Sequence, residues 1–509
     1  MSQIESTSQE ATVDAQDLQR FGYKQELHRR LGVFSSFSVA FSYISPSTGI
    51  FTLYALGLAT VGGVFFWTWP LVALGQFIVA LNFAEVSTHF PVAGSVFQWT
   101  KYLASKPYAW FTGWIYLFAG ILTTTAVVVT LPLPLIPALE NLGWNIPNTL
   151  DNQRIVALIT LGVITLLNIF GVRLVSWINN TGVVFEVLGM FVFAIVLIIF
   201  RHHQSAAVVF NPGTAQLGPG SFLAAMFMSL FVIYGFDTAS TLAEETKDPR
   251  RAAPKAVLMS VVGAFAIGAV FLYATLLAVP NLDKAMAAGW GPANVIDAAL
   301  PAALATTYLM VVSAAVFVCC LSIQASTIRL AFGMARDRQL PLSGLWSPVH
   351  SRLGTPLGSC LMVGIVAAVP LLQYAGAGYI AIAASGMIYL SYVLGNLAVL
   401  AARRRGWPRR PGHFSLGSWG ATINVVAIVW GVSMLLNFLW PRAISNPTPL
   451  QTTIGGVQSL QLGGPLDNIP ILYTVMAAVI LLGAIYYGLR RNVIPGVKIQ
   501  DPEVAQELA

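Results

Sequence analysis

Ser45-Pro46-Ser47-Thr48-Gly49 interrupts an apolar run that is otherwise long enough to cross a membrane. Tyr234-Gly235-Phe236-Asp237 interrupts a second run, Phe222 to Leu242. In hydrocarbon an unpaired backbone group costs several kcal/mol, so a broken helix persists only where it lines a cavity or a site. The half-helix that starts near Thr48-Gly49 presents free N–H groups and a partial positive charge, which suits a carboxylate. Gly49 lets a ligand approach the backbone. The half-helix that ends near Tyr234 presents free carbonyls, which suit an ammonium. Ser47, Thr48 and Gly49 are the candidate contacts at the first break, and Phe231, Tyr234 and Gly235 those at the second. Together they describe a receptor for adjacent opposite charges, as in an α-amino acid or a close relative. Gly/Pro kinks that only shape packing are the plainer alternative, and two breaks in corresponding halves of a chain weigh against it.

Four acids join these breaks as candidate coupling or gating groups. Asp237 lies just past Gly235, and Glu186 lies mid-run in Gly182-Val-Val-Phe-Glu-Val-Leu-Gly. A carboxylate at membrane depth is a functional hypothesis by default. The alternatives are a helix cap for Asp237 and a protonated, hydrogen-bonded acid for Glu186. Glu244 and Glu245 fall roughly 10–12 Å beyond Asp237 at 1.5 Å per residue. They are read as an inner gate pairing with Arg29, Arg336 or another basic residue, or else as a solvated helix end. Glu85 reads as the structural partner of a cytoplasmic-loop arginine. Gly120, Thr124, Ser322, Gln324 and Ser385 are polar or small at matching depth, and helix packing explains each more simply.

The chain that must position these groups is 56% hydrophobic and 9% charged, against about 25% charged in soluble domains. Twelve apolar runs read as spans, at about 33–57, 62–84, 110–131, 154–170, 177–200, 222–242, 256–279, 303–326, 357–373, 379–401, 422–440 and 470–489. All the lysines and arginines except Arg154, Arg201, Lys284 and Arg442 fall on one side of that arrangement. This puts both termini in the cytoplasm. Residues 1–30 form a cytoplasmic tail without an apolar signal core. Residues 31–402 form a ten-helix core of two inverted repeats, about 31–200 and 222–402. Residues 403–421 are a basic cytoplasmic loop, 422–489 carry helices 11 and 12 with an outside excursion at 441–469, and 490–509 are a cytoplasmic tail. Cys319, Cys320 and Cys360 suggest neither a disulfide framework nor a metal site. The basic balance sits in short loops, which gives no support to nucleic-acid binding.

Four motifs carry a resemblance to the amino acid–polyamine–organocation (APC) superfamily. They are Ser47-Thr48-Gly49-Ile50; Ala84-Glu85-Val86 with Phe90-Pro91-Val92-Ala93-Gly94-Ser95; Tyr234 through Asp237 leading to Glu244-Glu245-Thr246-Lys247-Asp248-Pro249-Arg250-Arg251; and Arg329 through Ala335-Arg336-Asp337 to Leu340-Pro341. The phrase from Ile44 to Phe51 most resembles the amino acid, GABA and choline permease branch. The resemblance implies an all-α LeuT-like fold of twelve helices with helices 1 and 6 broken. It also implies alternating access and secondary active transport of an amino acid or amine across the cell (inner) membrane. Exchangers of the superfamily carry a Glu at the place of Asp237, where it works at a gate. Several members carry a Lys at the place of Glu186, standing in for a sodium ion, and the reversed charge prevents that role from carrying over.

Proton-coupled symport is the expected mode, because two intramembrane acids are present and no clear sodium cage is. Ser322, Ser326 and Thr327 keep sodium as the alternative ion. Exchange (antiport) and a non-transporting amino acid receptor are the alternative functions. No cofactor and no enzyme activity are expected, since Walker, H-E-x-x-H and G-x-S-x-G motifs are missing and no nucleophile accompanies the buried acids. The substrate's identity and the oligomeric state stay open.

Overall fold

The structure, a computed structural model, describes residues 14–373, 377–440 and 471–495. The predicted excursion at 441–469 and most of both tails' outer ends lie outside these residues. Fifteen helices carry the architecture: α1 Val33–Ile44, α2 Pro46–Val61, α3 Thr68–His89, α4 Ser95–Leu103, α5 Lys106–Val128, α6 Leu150–Ile169, α7 Val172–Phe200, α8 Pro219–Val232, α9 Thr238–Thr241, α10 Pro249–Leu277, α11 Ala302–Arg336, α12 Leu357–Ala368, α13 Ala377–Arg403, α14 Gly420–Leu439 and α15 Ile471–Arg490.

Each of the twelve predicted spans coincides with helix. Among the described residues, nine stretches are long and apolar enough to cross a membrane. The first of these, Val33–His89, holds spans one and two together. A 3-10 turn, Gly62–Trp67, joins them without a loop. Spans six and nine appear as the shorter apolar helices Pro219–Val232 and Leu357–Leu372. Proline opens α2, α8 and α10, where its missing N–H costs nothing because the first turn has no partner for it.

Burial sorts the helices. The best apolar window of Lys106–Asn141 is 94% buried, against 28% for α6, 28% for α7 and 17% for α15. Span three is therefore central, and spans four, five and twelve are peripheral. On α7 the two populations meet at neighbouring residues: Phe185 is 63% exposed and Glu186 only 2%. A 100° step between helix neighbours accounts for this.

Span six departs from the sequence reading in its second half. After the break, α9 is four residues long and passes into a 3-10 turn, Ala243–Glu245. The estimated distance from Asp237 to Glu244 assumed a continuous α-helix, which is not what forms.

Candidate functional site

At the first break, α1 ends where Ser45 N–H reaches Phe41 O at 2.8 Å. Ser45 then turns left-handed, with φ 35°, and Pro46 has no N–H to continue the ladder. The exposed start of α2 is occupied by the chain's own acid. Glu186 Oε1 accepts from Ser45 Oγ (2.7 Å), Ser47 Oγ (2.6 Å) and Ser47 N–H (3.3 Å). Ser45 Oγ and Thr48 Oγ1 share a further hydrogen bond of 2.7 Å. The Gly49 N–H folds back onto Ser45 O at 3.3 Å. The Tyr43 carbonyl, whose helical donor would be Ser47, accepts from Cys319 Sγ at 3.5 Å.

Gly49 admits a neighbouring helix here. A Cβ at this position would lie 2.2 Å from Val232 Cγ2 on α8. Gly49→Ala is accordingly expected to lower the thermal stability of the purified protein. Adding Val232→Ala, which removes the clashing methyl, should restore part of the loss. Equal melting temperatures for Gly49→Ala and the native chain would show that the two helices part at no cost.

At the second break the ladder of α8 stops within three residues. Ile233 N–H still reaches back to Ser229 O (3.0 Å), Tyr234 N–H closes only to Val232 O (3.0 Å), and Gly235 N–H donates to Tyr392 Oη (2.9 Å). The carbonyls of Leu230 and Phe231 thereby lose the donors four residues on. Gly235 has φ +86°, and a Cβ there would fall 1.9 Å from the Tyr43 ring. Only glycine fits both demands. Phe231 and Tyr234 are buried with ring centroids 6.1 Å apart, and Tyr43 stands 6.3 Å from Tyr234.

Asp237 does not cap α9 through its side chain. Its Oδ2 accepts from Ser95 Oγ and Tyr116 Oη, and its Oδ1 from Tyr392 Oη. Three hydroxyls from α4, α5 and α13 thus converge on one buried carboxylate beside the break. Ser95 stood inside a quoted motif, but nothing in the sequence joined Tyr116 or Tyr392 to it. Among the described residues neither Asp237 nor Glu186 has a lysine or arginine partner, and no group of three metal-ligating side chains forms.

Glu244 and Glu245 are both buried. Arg336 grips Glu244 with two terminal nitrogens, at 2.9 and 2.7 Å, and Ala93 N–H adds a third bond at 3.1 Å. Arg329 Nε meets Glu245 Oε1 at 2.7 Å, with both side chains 2% exposed. Arg29 instead donates to the Ala243 and Thr246 carbonyls. The N-terminal segment lies across this end: Arg30 and Leu31 N–H donate to Glu245 O, and Lys247 N–H donates to Leu31 O. Within the segment, burial pushes the Asp14 carboxyl up, against the opposing pull of the Asp248 N–H and Arg29. Burial pulls the Arg29 guanidinium down. Glu85 pairs with Arg403, the last residue of α13, and accepts from Leu416 N–H at 2.8 Å.

The remaining polar candidates serve packing in several cases. Gln324 bonds Thr165 and Asn168 of α6. Thr124 and Ser385 bond carbonyls of their own helices. Gly120 lets Thr327 approach. Ser322 Oγ is buried with no partner among the described residues.

Residues 31–457 match the family described as "Amino acid permease". The chain is similar to "Amino-acid permease BAT1" of Arabidopsis thaliana, 27% identical over 89% of this chain and 96% of that protein. It is similar to the rice "Amino-acid permease BAT1 homolog", 26% identical over 89% and 95% respectively. It is also similar to "Branched-chain amino acid permease BcaP" of Bacillus subtilis, 26% identical over 82% and 90%. With a family match that runs across most of its length, through both broken helices and the buried arginine–glutamate pairs, this chain belongs to the amino acid permeases of the APC superfamily and is a transporter rather than an enzyme.

Proposed function

We propose that this amino acid transporter works by proton-coupled symport, with the substrate held between the two breaks and Glu186 as the proton site. The supporting observation is the Glu186 carboxylate hydrogen-bonded to the start of α2. A substrate carboxylate approaching Ser47, Thr48 and Gly49 meets a like charge. At 4 Å and an effective dielectric of about 20 that repulsion is about 4 kcal/mol. A proton on Glu186 removes it, so proton and substrate favour each other's binding, which is a coupling free energy.

On this reading the substrate ammonium lies against the carbonyls freed near Phe231 and Tyr234, where Gly235 unwinds the chain. Asp237 holds the break to α4, α5 and α13, and Glu244 and Glu245 close the inner end through their arginines. Both termini face the cytoplasm, the membrane is the cell membrane, and residues 31–402 move as two inverted repeats around the fixed site. Sodium is the alternative ion.

The test is uptake into proteoliposomes from a panel of labelled amino acids and amines under imposed proton or sodium gradients. Uptake that follows sodium at fixed pH would overturn proton coupling. A substrate analogue without its amino group should bind at least about tenfold more weakly, since a lost charge-assisted hydrogen bond costs about 1.5–3 kcal/mol. Equal affinity for both would remove the ammonium from the span-six carbonyls.

A further inference from the structure

A cavity of about 380 Å³ opens against the N-terminal segment, and no residue of either helix break lines it. Its walls include Tyr23, Lys101, Arg336, Asp337, Arg338 and Gln339. Three cations line it with one acid, Asp337, while a second acid, Glu244, pairs with Arg336. Lys101 Nζ binds Asp337 at 2.6 Å, and Tyr23 Oη donates to the same carboxylate at 2.9 Å. Arg336 lies 4.0 Å from the Tyr23 ring centroid. It gives its two terminal nitrogens to Glu244, and its Nε is buried without a partner among the described residues. Exposed Arg338 has no ion pair among them. Gln339 is 5% exposed, and its side-chain oxygen is buried and unpartnered.

These groups want one kind of ligand. With Lys101 answered by Asp337 and Arg336 by Glu244, the charge of Arg338 is left over among these groups and calls for an anion. Arginine matches phosphate and carboxylate oxygens alike. The Gln339 oxygen is an acceptor that needs a hydrogen, which an ionised carboxylate lacks and a singly protonated phosphate has. We propose that this cavity is a phosphate-binding site, distinct from the transport site, filled by a free phosphate or by the monoester phosphate of a lipid headgroup such as that of phosphatidic acid. A phosphate here bridges three separate pieces: the N-terminal segment through Tyr23, α4 through Lys101, and the end of α11 through Arg336 and Arg338. A ligand that binds only the arrangement in which these pieces meet stabilises that arrangement. Glu244 hangs on the same Arg336, so the bound phosphate holds the inner end closed and slows transport.

Arg338 offers a clean test because its own backbone is left-handed, at φ 54°. Glycine suits that conformation better than arginine does, so Arg338→Gly removes the charge without straining the fold. The full chain in phosphatidylcholine nanodiscs is melted against inorganic phosphate, with acetate at equal ionic strength as the control. The native protein should show a saturable rise in melting temperature with phosphate and none with acetate. Arg338→Gly should need at least tenfold more phosphate for the same rise, while Arg338→Lys stays close to the native response. A second arm uses nanodiscs containing phosphatidic acid and no soluble phosphate. Stabilisation in either arm that is lost in Arg338→Gly supports the site and identifies the source. An equal response of native and Arg338→Gly protein in both arms, or of acetate and phosphate, overturns it.

Discussion

Glu186→Gln protein will bind and exchange substrate yet fail to concentrate it under a pH gradient. The glutamine keeps an oxygen that can accept from Ser45 and Ser47, so the start of α2 retains its partner. It carries no charge to oppose a substrate carboxylate and no proton to release. Counterflow between labelled and unlabelled substrate should therefore proceed at a rate comparable with the native protein. Net uptake driven by an inward proton gradient should fall to the level of an imposed-gradient-free control. A variant that still accumulates substrate uphill from a proton gradient would clear Glu186 of the coupling role, and Asp237→Asn would then be the substitution to examine. A variant that loses counterflow as well would point to a structural role for Glu186 at the break.

Glu245→Gln should cost the protein more stability than any exposed substitution. Arg329 and Glu245 are each 2% exposed in their side chains and lie 2.7 Å apart. Removing one partner of a buried pair leaves an uncompensated charge, at a cost of about 3–5 kcal/mol, whereas replacing both with apolar groups is often neutral. The single variant should thus unfold far more readily in detergent, and Glu245→Met with Arg329→Met should recover most of the loss. A single variant within about 1 kcal/mol of the native chain would mean that water reaches Arg329, contrary to its burial.

The breaks were legible in the sequence because Pro46 and Gly235 act through their own backbones, and a missing N–H or a positive φ needs no tertiary contact to be anticipated. The spans were legible because hydropathy is a local sum. The acids stood out because a carboxylate in an apolar run is rare. The arginine partner of Glu244 was anticipated, but what surrounds Asp237 and Glu186 was not legible. Tyr116 and Tyr392 meet Asp237 across gaps of 121 and 155 residues, and a tyrosine on a membrane helix is too common to flag. At the first break the Gly49 N–H is taken by Ser45 O and the Ser47 N–H by Glu186, a partner from another helix that no local signal announces. Helix α4 also escaped, since nine mixed residues after Gly94 carry no membrane-length signal. The α-helical spacing assumed for Glu244 failed because α9 stops after four residues and a 3-10 turn follows it.

Span five also has a fixed azimuth. Its outer surface carries Phe185, Leu188, Phe191 and Val192, each more than half exposed, and the acid Glu186 sits a single step from that surface. A spin of one residue about the helix axis would bring the carboxylate into hydrocarbon, at a cost of about 3 kcal/mol on insertion scales. A peripheral helix with so little buried surface would otherwise have a shallow rotational well. The acid deepens it. While Glu186 is ionised, span five is thus held against rolling, and the face it offers to the first break is fixed; the proton that admits substrate also loosens that hold.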